Sequence, residues 1–304
     1  MKEIQTTAIV GMGALGMLYA SQITEALGPE AAVFVADPDR VARYHDMTFT
    51  VNGAAKPFSI IDSRQAAPAD LVIVSVKYNG LEAALDTMAG CVGPDTTIIS
   101  VINGITSEEI IGARFGADRV LGCIAQGMDA VRFGKDLTYT QTGELRIGCF
   151  TPDQQPRLEA LTRYLDRAKV PYTVEADIRY RLWGKFMLNT GVNQTCLAFE
   201  TNYGGALTPG ETYDTMTGAM REVMELAHLE GIPLTEEDFT SYIDLLRTLS
   251  PEGMPSMRQD GLAKRPSEVE MFSGTVIRMA GRHGLAVPVN TWLYDRIKTL
   301  EAAY

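Results

Sequence analysis

One stretch near the start constrains the chain more than any other. Gly11-Met12-Gly13-Ala14-Leu15-Gly16 spells G-x-G-x-x-G directly after the β-rich run Ala8-Ile9-Val10 and opens a helical run over residues 14–27. Each glycine in this pattern has a mechanical reason. The first allows a tight turn, the second lets the backbone approach a pyrophosphate, and the third lets helix and strand pack closely. The helix N-terminus then offers unpaired N–H groups and the positive end of a dipole to phosphates. A glycine turn serving packing alone would read the same way, but a second strand, Ala32–Ala36, ends at an acidic residue, Asp37, about 20 residues past the last glycine, as a ribose-binding carboxylate does. The reading is therefore a dinucleotide-binding unit that includes Gly11, Met12, Gly13, Ala14, Leu15, Gly16 and Asp37. Asp37 suits the two ribose hydroxyls of NAD and repels a 2′-phosphate. Arg40 and Arg43 lie close enough in sequence to receive that phosphate, or else are a solvated helix face.

Further along, Leu71–Val76 and Thr97–Ile102 are continuous apolar runs, the pattern of central parallel strands covered on both faces, and Val120–Ala125 is another. Strands alternating with helices predict a doubly wound α/β sheet. Residues 137–150 change character and read as an antiparallel hairpin turning at Gly143-Glu144, followed by a helix over 154–169 and a strand over 171–174. From Ile178 onward the signals are helical. The chain has 304 residues, ample for two domains. The expected division is residues 1–177 as the dinucleotide-binding domain and 178–304 as an all-helical substrate and catalytic domain. Ligands of open α/β sheets bind outside the C-terminal strand ends, so the site is expected in the cleft between the two.

Composition narrows the function classes. With 46% hydrophobic residues the chain can bury a real interior, and a net charge of −11 with no Lys/Arg run argues against nucleic acid as a partner. Cys91, Cys123, Cys149 and Cys196 show neither C-x-x-C pairing nor metal-like spacing with the three histidines, so no metal site is expected. They read as reduced thiols of a cytoplasmic protein. No apolar run reaches the roughly 18–20 residues of a membrane span. Thr7–Ala20 could pass for a signal-peptide core, but its regularly spaced glycines and weakly basic start argue otherwise.

The second half carries a different signal. Over residues 178–199 apolar side chains spread around most of the helical circumference, which predicts a largely buried helix. Yet Lys185, Asn189 and Asn193 fall at i, i+4 and i+8, a stripe rising about 6 Å per step. A buried ammonium and two carboxamides are costly unless paired. A small polar ligand would pair them; internal hydrogen bonds or partial solvation are the plainer alternative. Downstream, Ser256-Met257-Arg258-Gln259-Asp260 precedes Pro266-Ser267-Glu268-Val269-Glu270. Glu268 is placed either facing Lys185 or as a surface carboxylate near a helix start, since Pro266 and Ser267 are good N-terminal signals.

Together these motifs resemble the ketopantoate reductase family over essentially the whole chain. The glycine loop matches, Lys77 in Val74-Ser75-Val76-Lys77 matches the lysine after the fourth strand, and Asn103-Gly104 matches the turn beside the nicotinamide. Leu182-Trp183-Gly184-Lys185 through Asn189 and Asn193 matches the helix of the catalytic lysine, and Ser256-Met257 with Ser267-Glu268-Val269-Glu270 matches the C-terminal serine and glutamate motifs. The glycine loop is unspecific; the ordered set is much more specific. The resemblance implies hydride transfer from NADPH to a 2-keto acid, with Lys185 as general acid. It implies Asn103, Asn189, Asn193 and Ser256 as substrate ligands, with Asn202 joining them after a one-residue shift. Lys77, Asn103, Met128 and Glu268 would contact the cofactor, Met128 through its backbone, and Glu268 would also help fix the lysine. The chain departs from the family where an arginine usually reads the 2′-phosphate near the end of the second strand. It has Asp37 there, which opens the cofactor to NADH, with Arg40 as the phosphate partner if NADPH is used. The implied partner is a small 2-keto acid, with neither nucleic acid nor membrane, and a homodimer as an open assembly. Two other functions stay in view: an NAD-dependent D-2-hydroxyacid dehydrogenase acting on another branched or aromatic 2-keto acid, and a non-catalytic dinucleotide sensor, which would have no need of a general acid.

Overall fold

The computed structural model describes residues 2–304. The chain divides into two compact units, Met1–Ile178 and Arg179–Tyr304. Among the described residues no helix is long and apolar enough to cross a membrane.

The first unit opens with β1 (Thr7–Val10), α1 (Ala14–Leu27), β2 (Ala32–Ala36) and α2 (Pro38–Tyr44). Three short strands follow that the sequence reading does not single out, β3 (Phe49–Val51), β4 (Ala54–Lys56) and β5 (Ile60–Asp62). Then come β6 (Leu71–Val74), α3 (Leu81–Met88), β7 (Thr97–Ser100) and α4 (Ser107–Phe115). The unit closes with β8 (Val120–Met128), β9 (Val131–Phe133), β10 (Asp136–Thr138), β11 (Thr142–Gly148), α5 (Gln155–Ala168) and β12 (Tyr172–Val174). The large sheet runs β12-β11-β8-β7-β6-β1-β2-β5. From β5 to β8 every neighbouring pair is parallel. In chain order those strands stand 3-2-1-4-5-6, the doubly wound arrangement whose switch point lies between β1 and β6. Thr7–Val10, Leu71–Val74 and Thr97–Ser100 are buried at every position, as continuous apolar runs covered on both faces require. Helix α1 lies against α5, and α3 against α4.

The hairpin expected over residues 137–150 is corrected. Thr138 ends β10, which belongs to a separate four-stranded sheet, β4-β3-β10-β9. Residues 142–148 form one strand, antiparallel to β8. Gly143 (φ 62) does not turn the chain; it stands opposite Gly127 (φ 76), and a Cβ there would collide with the Gln126 carbonyl. The glycine is needed for close backbone approach across a ladder. A real turn signal lies elsewhere: Asn52 (φ 49) and Gly53 (φ 81) join β3 to β4, an Asn-Gly loop of the left-handed kind that two-residue hairpins favour. The runs expected to reach Val76 and Ile102 leave the sheet at Val74 and Ser100, while the one expected to stop at Ala125 continues to Met128.

Among its described residues the second unit is helical: α6 (Ile178–Ala198), α7 (Tyr203–Leu207), α8 (Glu211–Leu229), α9 (Glu236–Arg247), α10 (Ser256–Leu262), α11 (Ser273–His283) and α12 (Pro288–Glu301). Close packing buries α6. A Cβ on Gly191 would stand 2.5 Å from Met220 Cγ on α8, and one on Gly184 would collide with the Tyr242 ring of α9. A buried polar network ties the bundle. Gln194 Nε2 donates to Asn290 Oδ1 (3.4 Å), Ser273 N–H donates to Gln194 Oε1 (3.1 Å), and Asn290 Nδ2 donates to Glu222 Oε2 (2.8 Å). The helix start expected at Pro266-Ser267 is also corrected: α11 begins at Ser273, and residues 268–272 form turns in which the Glu268 carbonyl accepts from Met271 and Phe272.

Candidate functional site

In the first unit the candidate residues fall in sheet order along one edge, the C-terminal ends of the parallel strands. Asp37 follows β2, the glycine loop follows β1, Lys77 follows β6, Asn103 follows β7, and Met128 ends β8. The glycine loop is built by contact with the neighbouring strand. Gly11 (φ 106) lies so close to β6 that a Cβ would stand 2.6 Å from the Ser75 carbonyl carbon. The Ser75 hydroxyl donates to the Gly11 carbonyl (2.6 Å), and the Ser75 N–H donates to Val10 O (2.8 Å). Ser75 is therefore a positioning residue that the sequence reading passed over. Its signal was a lone hydroxyl near the end of an apolar run. Helix α1 starts at Ala14 with Gly13 as its N-cap, no side-chain cap and no acidic residue in the first turn. The first-turn N–H groups of Ala14, Leu15 and Gly16 thus lack intrahelical acceptors. A dinucleotide pyrophosphate fits this cradle: the Gly13 N-cap carries no side chain, there are N–H donors, and the first turn has no acidic residue.

At the end of β2 the two residues weighed for cofactor choice are bound to each other. Asp37 is the N-cap of α2 and accepts the Arg40 N–H (2.9 Å), and the Arg40 Nε lies 3.4 Å from Asp37 Oδ2. Both side chains are partly exposed, so either can exchange this contact for a ligand. Arg43 is exposed on the same short helix.

In the second unit, α6 is buried from Leu182 to Ala198 except at two positions, Lys185 and Asn189. The third member of the stripe, Asn193, is 6% exposed, and its Oδ1 accepts the Ser256 hydroxyl (3.1 Å). The structure thus brings Asn193 and Ser256 together, while the glycines that pack α6 lie roughly 100° or more around the helix from the stripe. Glu268 is 7% exposed, not a surface carboxylate. Its segment is anchored on α6: Phe272 stacks on Phe186 with ring centroids 6.1 Å apart, and the Ser273 N–H reaches Gln194. Asn202 is otherwise engaged. It is the N-cap of α7, its Oδ1 accepts from Gly205 N–H (2.9 Å), and its Nδ2 donates to Glu252 (3.1 Å). Both ends of its carboxamide are hydrogen-bonded within the second unit.

The thiols stand apart from this chemistry. Burial pushes Cys91 up to about 11 and Cys196 up to about 12, so neither is a thiolate at neutral pH. Among the described residues no cluster of His, Cys, Asp or Glu is arranged to hold a metal ion. What remains is a backbone cradle of N–H donors in one unit, and in the other an ammonium with carboxamides on α6 and a hydroxyl on α10.

Known proteins share both halves. A 2-dehydropantoate 2-reductase of Vibrio cholerae is 26% identical over 97% of this chain and 98% of its own length. A ketopantoate reductase of the PanE/ApbA family from Ralstonia eutropha shares the fold with a TM-score of 0.84 at 22% identity, covering 98% of this chain and 99% of that one. A D-mandelate dehydrogenase, solved with NADH and anilino(oxo)acetate, does so with a TM-score of 0.86 at 19% identity, covering 98% of both chains. Residues 7–152 match the family described as Ketopantoate reductase PanE/ApbA, and residues 177–301 match its C-terminal counterpart. The two matches take in the glycine loop and the Lys185 helix, and the chain belongs to the ketopantoate reductase family of oxidoreductases.

Proposed function

We propose that this chain reduces 2-dehydropantoate (ketopantoate) to (R)-pantoate with NADPH, a step of pantothenate biosynthesis. The observation that carries the proposal is the α6 stripe, where Lys185 and Asn189 are the partly open positions on a helix otherwise buried from Leu182 to Ala198. A buried helix does not keep an ammonium and a carboxamide open for packing reasons. A dinucleotide held at the glycine loop would supply the hydride that reduces the keto carbon. Lys185 donates a proton from Nζ to the carbonyl oxygen as that oxygen becomes an alkoxide, so one hydride and one proton complete the alcohol. Asn103, Asn189, Asn193 and Ser256 hold the substrate's carboxylate and hydroxyl groups. The glycine loop and first-turn N–H groups of α1 take the pyrophosphate, Lys77 and the Met128 backbone contact the cofactor, and Glu268 helps fix the cofactor and Lys185.

The preference for NADPH rests on Arg40. A 2′-phosphate would draw its guanidinium away from Asp37, exchanging a carboxylate contact for a more highly charged one. A second reading is favoured by Asp37 itself. If the carboxylate instead receives the ribose hydroxyls, the enzyme is an NADH-dependent D-2-hydroxyacid dehydrogenase for a branched or aromatic 2-keto acid, as the likeness to D-mandelate dehydrogenase suggests. A screen of ketopantoate and phenylglyoxylate against NADPH and NADH separates the readings. The proposal expects the highest kcat/KM for ketopantoate with NADPH, and a loss for NADPH alone in Arg40→Ala. A preference for phenylglyoxylate with NADH, unmoved by that substitution, overturns it. Tight cofactor binding without turnover of any 2-keto acid would leave a sensor.

A further inference from the structure

The loop 101–106, which carries Asn103 and Gly104, is closed at its base by buried side chains that the mechanism above does not use. Ser100 is the last residue of β7, and Ser107 is the first residue of α4. Their hydroxyl oxygens stand 2.9 Å apart, and Ser107 Oγ lies 2.8 Å from Glu108 Oε2. Ser100 is 0%, Ser107 1% and Glu108 6% exposed. Ser107 has one hydroxyl hydrogen and two lone pairs, so its Oγ can serve both neighbours, donating to one and accepting from the other. Ser100 Oγ in turn faces the Ile102 N–H at 3.4 Å, one residue before Asn103. The hydrogen bonds therefore link the loop backbone, through two buried hydroxyls, to a buried carboxyl group in the first turn of α4.

A carboxylate this deeply buried is costly, and an apolar residue would fill the space without that cost. What the carboxyl group supplies is a polar anchor: with the two hydroxyls it holds both ends of the loop in one arrangement. We propose that Ser100, Ser107 and Glu108 form a hydrogen-bonded tie that sets where the Asn103 carboxamide stands, which makes them positioning residues for the reduction. The proposal rests on the assignment of Asn103 to the site.

Two measurements on the full-length protein test it. The first is a double-mutant cycle between Ser107→Ala and Asn103→Ala. Because a misplaced contact group loses most of its effect, Ser107→Ala is expected to lower kcat/KM for ketopantoate by about tenfold, and to cost almost nothing further once Asn103 is alanine. Glu108→Gln, which keeps an acceptor oxygen for Ser107, should stay near wild type, whereas Glu108→Ala should match Ser107→Ala. The second measurement needs no turnover: the side-chain amide resonance of Asn103, assigned by its disappearance in Asn103→Ala, should move in Ser107→Ala and stay in place in Glu108→Gln. An undiminished loss in the Asn103→Ala background, or an Asn103 resonance unmoved by Ser107→Ala, overturns the tie. Failure of wild-type enzyme to reduce ketopantoate would defeat the functional reading instead, and the resonance would still decide the tie.

Discussion

In the glycine loop of the first unit the candidate contacts are made by backbone, and what makes them available is the atoms that glycine lacks. Gly11 can approach β6 only without a Cβ, and the uncapped first turn of α1 presents N–H groups rather than side chains. On α6 of the second unit the candidate contacts are side chains, with Lys185 and Asn189 the two positions from Leu182 to Ala198 that are not buried. The contrast follows from the ligands. A pyrophosphate is common to every dinucleotide and is well served by a fixed curve of main chain, whereas a small keto acid must be oriented atom by atom, which takes an ammonium, carboxamides and a hydroxyl. The glycine loop should therefore be damaged by adding atoms, and the α6 stripe by removing them.

The largest effect should come from removal. Lys185→Ala is expected to lower kcat by about 10² to 10⁴-fold, because a positioned general acid contributes on that order. Dinucleotide affinity, measured by fluorescence titration of the same variant, should stay within about twofold, since the lysine acts on the reacting oxygen. A variant with near wild-type kcat would leave α6 without a chemical role and break the contrast.

Addition to the first unit should come next. Gly11→Ala places a methyl carbon against the backbone of Ser75 at a residue with φ 106, so the loop must move. A shift of about 1 Å is expected to weaken dinucleotide binding by roughly 10²-fold. The effect should appear in Kd for the cofactor, and Lys185→Ala should not reproduce it. Unchanged affinity would mean that the pyrophosphate is held elsewhere.

A smaller effect should follow truncation of the Asn193–Ser256 pair. Asn193→Ala and Ser256→Ala are each expected to raise KM for the keto acid by about tenfold with little change in kcat, as uniform binding contacts do. Because the Ser256 hydroxyl donates to Asn193 Oδ1, the double variant should fall short of the product of the two. Strict multiplication would show that the two residues act independently.

The smallest effect lies at the edge of the first unit and depends on pH. Asp70 accepts from the Gln5 and Thr6 N–H groups at 2.9 and 3.0 Å and from the Lys2 ammonium at 3.1 Å. Burial tends to raise its carboxyl, but these donors outweigh burial and hold it below the ordinary carboxylate range. A carboxylate depressed in the folded state adds stability above its unfolded pKa and loses it as pH falls through the folded value. Asp70→Asn should therefore lower Tm by about 2–4 °C at neutral pH. The gap should close as pH falls below about 4. A gap that persists in acid would assign the effect to shape rather than charge.

Much of the fold is legible in the sequence, and unevenly so. Helix α1 spans Ala14–Leu27 and β2 spans Ala32–Ala36, where the glycine pattern and the apolar run put them. Local signals govern both elements: a strained turn at one end and a Gly28 at the other, with periodicity between. The paired strands were harder. Thr142–Gly148 reads as half of a local hairpin because its partner, β8, is separated from it by another hairpin, and pairing over that distance leaves no local mark. The Asn52-Gly53 turn did carry a mark, one that the long apolar runs on either side overshadowed.

For the site, residue types and their spacing along one element are sequence properties. The i, i+4, i+8 stripe on α6 and the glycine loop can be named from the chain alone, because helical and turn geometry convert spacing into direction. Which side chains meet across elements is not such a property. That Arg40 turns to Asp37, that Ser256 reaches Asn193, that the Asn202 carboxamide caps α7, and that Ser100, Ser107 and Glu108 close the Asn103 loop are all decided by tertiary structure. The physical reason is that a hydrogen bond depends on the placement of two groups to within a few tenths of an ångström. Spacing along the chain supplies such placement only within a single helix, strand or turn, while between elements it comes from the packing of everything that lies under them.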